Sequence, residues 1–274
     1  MTDNENPSPK KTSLVRRALW ITGASLLGLF LLALLGMFIL WKTIFGGNAP
    51  LEGGRALNDH AWVVKDGFVS MTLLKGPSGF VLVDGGASGK TDELVDVLRQ
   101  HGGTLADVRA VLITHAHGDH LAVLRHLPGA ALLCMEREVP LVEGREGLPG
   151  PFGRVMTNHL GLHIARGLAD GEVSEWAGLK IKSYLVPGHT PGHGVYLVDG
   201  LLFLGDTVNA DKEGHVKSSF RGFSADPQQN NESVKSLVRR LVAEKTPVDR
   251  MVFSHSAALK GLAPLQTWAE SATP

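Results

Sequence analysis

Four side chains able to bind a metal stand within six consecutive residues, His115-Ala116-His117-Gly118-Asp119-His120. Protonated imidazoles packed this closely would repel one another and neutral ones would lack partners, whereas a divalent cation turns them into a coordinated set. In an extended stretch His115 and His117 point to the same side, so both rings reach one ion. Where the chain turns at Gly118, Asp119 and His120 face a second. Three further candidates, His189, Asp206 and His255, each end an apolar run and lie beside a glycine or a small polar residue, which lets loops converge on one rim. Two ions of four to five coordination, with a solvent position left open, need about six or seven protein ligands. The chain offers seven.

The elements that must carry these residues alternate between strand and helix. Residues 108–114 form a β-branched apolar run that predicts a buried strand before the cluster, and 121–127 predict a helix after it. A hairpin is expected from 68–75 and 80–83 around Gly76-Pro77-Ser78-Gly79, then a helix over 91–101 closed by Gly102 and Gly103. Strands follow at 131–135, 179–186, 195–199, 201–204 and 250–253, and a helix at 228–244 reads as an amphipathic cover for a sheet. Between them, 144–171 is an irregular excursion with an expected helix over 158–169 that covers the site. The pattern is that of an α/β domain with its ligands at the carboxyl ends of strands, where open α/β sheets gather their chemistry.

The motifs Val83-Asp84-Gly85-Gly86, Thr114-His115-Ala116-His117-Gly118-Asp119-His120, Gly188-His189-Thr190-Pro191-Gly192-His193, Phe203-Leu204-Gly205-Asp206-Thr207 and Ser254-His255, in that order, resemble those of the metallo-β-lactamase fold superfamily over residues 60–260. The resemblance implies an αββα four-layer sandwich. It further implies that His115, His117 and His189 hold a first metal, that Asp119, His120 and His255 hold a second, and that Asp206 bridges them. A bridging aspartate is similar to the glyoxalase II and lactone hydrolase branches, where true β-lactamases have cysteine or serine. The helical region that follows the last histidine in typical glyoxalase II is not evident after His255.

The expected activity is hydrolysis of an ester, lactone or thioester carbonyl in a small molecule by a metal-bound hydroxide, with Asp119 as the catalytic side chain that orients the nucleophile or hands a proton to the leaving group. Nitrogen-rich ligation favours two zinc ions; the carboxylates also admit iron or manganese. The alternatives are an iron-dependent redox enzyme of the same fold, β-lactamase-type amide hydrolysis, and a metal-binding module without turnover. Asp84 and Thr190 are expected to fix imidazole tautomers. His193 is divided between that role and a plain loop hydrogen bond. His60, His101, His126 and His215 are read as surface or structural, His159 and His163 as substrate contacts or an exposed face, and Cys134 as inert core.

No charged residue occurs from 18 to 41, and at about 1.5 Å per residue such a helix crosses a bilayer core of about 30 Å. Trp20 and Trp41 stand near its ends as interfacial anchors would, and the apolar stretch is longer than a signal-peptide core of about 7 to 15 residues. The expected organisation is a basic cytoplasmic N-terminus (1–17), a transmembrane helix (18–41), a linker (42–57) and a hydrolase domain (58–274). Lys10, Lys11, Arg16 and Arg17 before the span place the domain on the outer side, periplasmic or extracellular. With residues 1–49 set aside, 22 basic residues face 25 acidic ones, so no basic surface for nucleic acid is expected.

Overall fold

The computed structural model describes residues 10–150, 153, 157 and 159–271, which fall in two compact units divided after Gly47. The first is one helix, α1 (Lys10–Phe45). Its stretch Arg16–Phe45 has a mean hydropathy of 2.4 and exposes leucine, phenylalanine and tryptophan side chains on every face. By length and composition it is able to cross a membrane. Residues 1–9 of the expected basic terminus lie outside the described residues.

In the second unit, a seven-stranded sheet runs in sequence order through β1 (Ala56–Asn58), β2 (Ala61–Asp66), β3 (Val69–Gly76), β4 (Gly79–Val83), β5 (Val108–Leu112), β6 (Ala131–Met135) and β7 (Arg166–Leu168). Pairing is antiparallel as far as β4 and parallel from β4 to β7. The other large sheet is built from β8 (Val173–Trp176), β9 (Leu179–Leu185), β10 (Gly194–Val198), β11 (Leu201–Gly205), β14 (Arg250–Phe253) and β15 (Leu259–Lys260), in the order β15-β14-β11-β10-β9-β8. There only β11 and β14 run parallel. A separate hairpin pairs β12 (Val208–Ala210) with β13 (Val216–Ser218).

Alternation along the strands assigns the layers. In β4, Phe80 and Leu82 pack with Leu94, Val97 and Leu98 of α2 (Asp92–Gln100) and with Leu141 and Val142 of α3 (Val139–Val142), while Val81 and Val83 face the second sheet. In β11, Leu201 and Phe203 meet that inter-sheet core, while Leu202 and Leu204 pack against Val234, Leu237, Val238 and Leu241 of α4 (Pro227–Ala243) and Leu265 and Trp268 of α5 (Ala263–Ser271). Two sheets with helices on both outer faces give the αββα order of layers. At about 25 cal/mol per Å² the burial of these three apolar clusters is the dominant stabilising term.

Two expectations of helix are not met. Residues 121–127 turn through short 3₁₀ segments, because their backbone bonds sideways: Ala122 N–H and Val123 N–H donate to the carbonyls of Gly86 and Gly85, and Gly85 N–H donates to that of His120. Among the described residues of 158–169 there is no helix either; Asn158 itself lies outside them. Ala165 N–H donates to the Leu132 carbonyl, Ile164 N–H to the Glu143 carboxylate, and 166–168 join the sheet edge as β7, so partners in β6 and the Glu143 side chain replace the intrahelical ones. Short strands β1, β8, β12, β13 and β15 escape a pattern search because two to four residues cannot display a period.

Candidate metal centre

The seven candidate ligands meet at one rim. His115, His117, Asp119 and His120 follow β5, His189 follows β9, Asp206 follows β11 and His255 follows β14. They divide into two groups whose donor atoms lie within 4.8 Å of one another: His115, His117, His189 and Asp206, and Asp119, His120 and His255. In the first group, His117 Nδ1 is 3.0 Å from His115 Nε2 and 3.1 Å from His189 Nε2. Nitrogens bound tetrahedrally at about 2.0–2.1 Å to one ion stand about 3.3 Å apart, so this trio has the spacing of a ligand set. In the second, Asp119 Oδ2 lies 3.3 Å from His255 Nε2 and 3.8 Å from His120 Nε2.

Asp206 faces both groups. Its Oδ2 is 3.1 Å from His255 Nε2 and 3.7 Å from His189 Nε2, and its Oδ1 is 3.5 Å from His120 Nε2. Among the described residues, His120 Nε2 and Asp206 Oδ1 are buried polar atoms without a hydrogen-bond partner. The two stand 3.5 Å apart, so a proton on His120 is their one partner in the metal-free site, and a cation bound to both would replace it.

Outer partners explain why the rings point inward. Asp84 accepts from Thr114 N–H and Thr114 Oγ1, so the threonine, its one hydroxyl proton spent, accepts from His115 Nδ1 at 3.0 Å and leaves Nε2 a bare lone pair. The Asp84 carboxylate takes His120 Nδ1–H at 2.9 Å, Ser224 Oγ takes His189 Nδ1–H at 3.1 Å, and the Phe68 carbonyl takes His255 Nδ1–H at 2.9 Å. Four rings therefore present Nε2, fixed by four different acceptors, as ligating histidines do. Thr190 makes no hydrogen bond to an imidazole; it is buried beside Glu138.

Charge is distributed unevenly over the site. Burial holds His115 and His189 well below the ordinary histidine range and takes His117, against the pull of Asp206 and Asp119, down to about 4. His255 is the opposite case: burial lowers it, but Asp206 and the hydrogen bond to Asp119 prevail and raise it to about 10. His120 is likewise raised, burial being outweighed by Asp206, Asp84 and Asp119. Burial pushes Asp119 up, yet the charge of His120 and the bond from His255 hold it at about 2. One group thus consists of neutral donors, and the other of histidinium paired with carboxylate.

The backbone shows the strain typical of such sites. Asp84 adopts φ 60°, a left-handed conformation uncommon outside glycine, and this turn aims its carboxylate at Thr114 and His120. Gly205 also has a positive φ, 55°, and a Cβ there would stand 2.6 Å from His193 Nε2 and 2.9 Å from Thr114 Cβ. Only glycine brings the Asp206 loop this close.

The matched family description is that of the metallo-β-lactamase superfamily, over residues 64–255. The chain belongs to that superfamily. The hydroxyacylglutathione hydrolase of Aeromonas salmonicida (strain A449) is 32% identical over 158 residues, 56% of this chain and 50% of the relative, so the chain matches about half of that protein's length. "Probable metallo-hydrolase YybB" of Bacillus subtilis (strain 168) is 28% identical over 185 residues, covering 64% of this chain and 72% of the relative. A solved B3 metallo-β-lactamase with an active-site glutamic acid shares the fold at TM-score 0.61 and 20% identity, over 85% of this chain and 90% of that one. Relatives among the hydroxyacylglutathione hydrolases agree with the glyoxalase II-like branch of the superfamily.

The remaining histidines of the sequence lie elsewhere or play other parts. His101 stacks on Trp62 at 3.5 Å, His60 faces Asp199 at 3.1 Å, His215 faces Asp211, and His126 is exposed beside Arg125. His159 is exposed, and His163 is exposed beside Glu143. His193 is fully buried, stacks on His115 with centroids 5.0 Å apart, and accepts from Asp206 N–H at 3.3 Å; burial holds it neutral, at about 3. Cys134 is buried, which pushes its thiol well above the ordinary range, so it is inert. Sequence reasoning missed Ser224, the Phe68 carbonyl and Glu138. The first two had no signal, since a lone serine and a backbone oxygen carry none. Glu138, an acidic residue just after an apolar strand, repeats the pattern that marked the ligands.

Proposed function

We propose that the chain is a membrane-anchored hydrolase with two metal ions, acting on an ester, lactone or thioester of a small molecule. The observation that carries this reading is the meeting of the two ligand groups at Asp206, whose two oxygens face His120 on one side and His189 and His255 on the other. His115, His117 and His189 would hold one ion, Asp119, His120 and His255 the other, with Asp206 shared. The five nitrogens among these donors favour zinc, and the fully satisfied outer nitrogens of four rings fit a site built for metal. Ions bound there would supply acidification of a water and polarisation of a carbonyl.

The side chains do the rest. Asp119 is the least buried ligand, with 24% of its side chain exposed against 12% or less for its neighbours, so it is the one that faces an incoming substrate. Ionised, it accepts a proton at its carboxylate from the attacking water and returns one to the departing oxygen or sulfur. His193 remains neutral and props the Asp206 backbone. The helix α1 serves as the anchor, and the basic residues before it set the domain on the outer side of the membrane.

Metal analysis of protein purified without added metal tests the reading: about two zinc ions per chain are expected, and bound iron with oxygen consumption would overturn it in favour of a redox enzyme. Turnover of generic ester, lactone and thioester substrates should fall at least about 100-fold in Asp119→Ala, with the first ion still bound. A reporter fused to the C-terminus and active only in the cytoplasm would reverse the orientation.

A further inference from the structure

We infer that Glu138 is a positioning residue that holds the two loops of the first metal group in register, an inference that rests on the metal reading above. Three of the four members of that group come from two loops with no covalent constraint between them: His115 and His117 after β5, and His189 after β9. Their donor nitrogens nevertheless meet at 3.1 Å across the gap. Glu138 spans the two loops with one carboxylate. Its Oε1 accepts the N–H of Ala116, between the two histidines, at 2.8 Å, and its Oε2 accepts the N–H of Gly192, in the turn that follows His189, at 2.9 Å.

Two independent features show that this contact is built. Glu138 is fully buried, and burial pushes its carboxyl up to about 7 against the pull of the Thr190 hydroxyl and the N–H groups of Ala116 and Gly192, so the fold keeps an acid here at a cost in desolvation. Gly192 is also packed so tightly that a Cβ there would lie 2.3 Å from the Glu138 nitrogen and 2.5 Å from the Arg137 carbonyl carbon. Close backbone approach and a two-armed acceptor together fix the distance between loops. Both donors are N–H groups, so the side chain must offer two acceptors. Glutamine offers one oxygen, and its amide nitrogen would meet an N–H head-on.

The test uses the full chain, stripped and titrated with zinc against a chromophoric chelator, and with cobalt for its absorption spectrum. Glu138→Gln should weaken the tighter site by about 10- to 100-fold, the range for losing an outer partner of a ligand set, and change the cobalt band of the histidine-rich site. Leu265→Ala, a cavity in the remote α4–α5 core that lowers thermal stability, should leave both affinities within about twofold. Glu138→Asp, which keeps the charge but shortens the reach, gives the same reading if the glutamine variant does not fold. Wild-type affinity and spectrum in Glu138→Gln would overturn the inference, as would an equal loss in Leu265→Ala. Wild-type protein that binds no ion would overturn the metal reading itself, and this inference with it.

Discussion

Asp84 gathers four donors on one carboxylate, Thr114 N–H, Thr114 Oγ1, His120 Nδ1 and, at 3.5 Å, Ser254 Oγ, from a backbone conformation with φ 60°. Asp84→Ala would strand these donors in a buried site, and a loss of about 3–5 kcal/mol is expected in urea unfolding of the metal-free protein. Asp84→Asn should be milder in stability but present the wrong group to one donor, weakening metal binding by about tenfold in chelator competition. The meeting of the candidate ligands was legible at this scale because each is a chemically distinctive residue at the end of an apolar strand. Asp84 was legible by the same rule. Ser224 and Phe68 were not, because a hydrogen bond from the outer nitrogen of a ring needs only some acceptor nearby, and any residue's carbonyl or hydroxyl will serve.

Among the elements, continuous apolar runs bounded by turn residues and the amphipathic α4 could be read directly, since β6 and β14 match their expected bounds residue for residue. The misread helices share a cause: local apolar spacing competes with sideways backbone bonds that no local pattern records. The loop after β5 is the clearest case, its carbonyls and amides tied to Gly85 and Gly86. Element ends also explain the role of Gly205. Gly205→Ala would demand a left-handed conformation from alanine and press a methyl into His193 and Thr114. A loss of about 2–4 kcal/mol is expected, read as a lower urea midpoint, with disturbed metal binding because Asp206 is the next residue.

For the molecule as a whole, protons and metal ions would, on the proposed metal reading, compete for one cluster. His120 and His255 are both raised and hold protons in the metal-free state near neutral pH, so uptake of two ions should release about two protons per chain, measurable by calorimetry in buffers of different ionisation enthalpy. Metal affinity should accordingly strengthen as pH rises toward about 10. Stability of the metal-free domain has its own signs. His117 and His193, depressed to about 4 and about 3 from 6.5, contribute stability that is complete above pH 6.5 and lost as pH falls through those lower values. His255, raised to about 10, contributes stability that is complete below pH 6.5 and lost as pH rises through 10. The metal-free domain is therefore expected to unfold at the lowest urea concentration at both extremes of pH and to be firmest near neutrality.

The division of ligands between the two sheets has a kinetic consequence. The cluster after β5 belongs to the first sheet, while His189, Asp206 and His255 follow strands of the second. Neither half holds a complete set, so on the proposed metal reading an ion bound at Asp206 would act as a stitch closed only after both sheets have docked. Metal capture on refolding should lag behind formation of either sheet, and metal escape should be timed by the slow parting of the inter-sheet core, so that a chelator in excess removes the ions at a rate independent of its concentration.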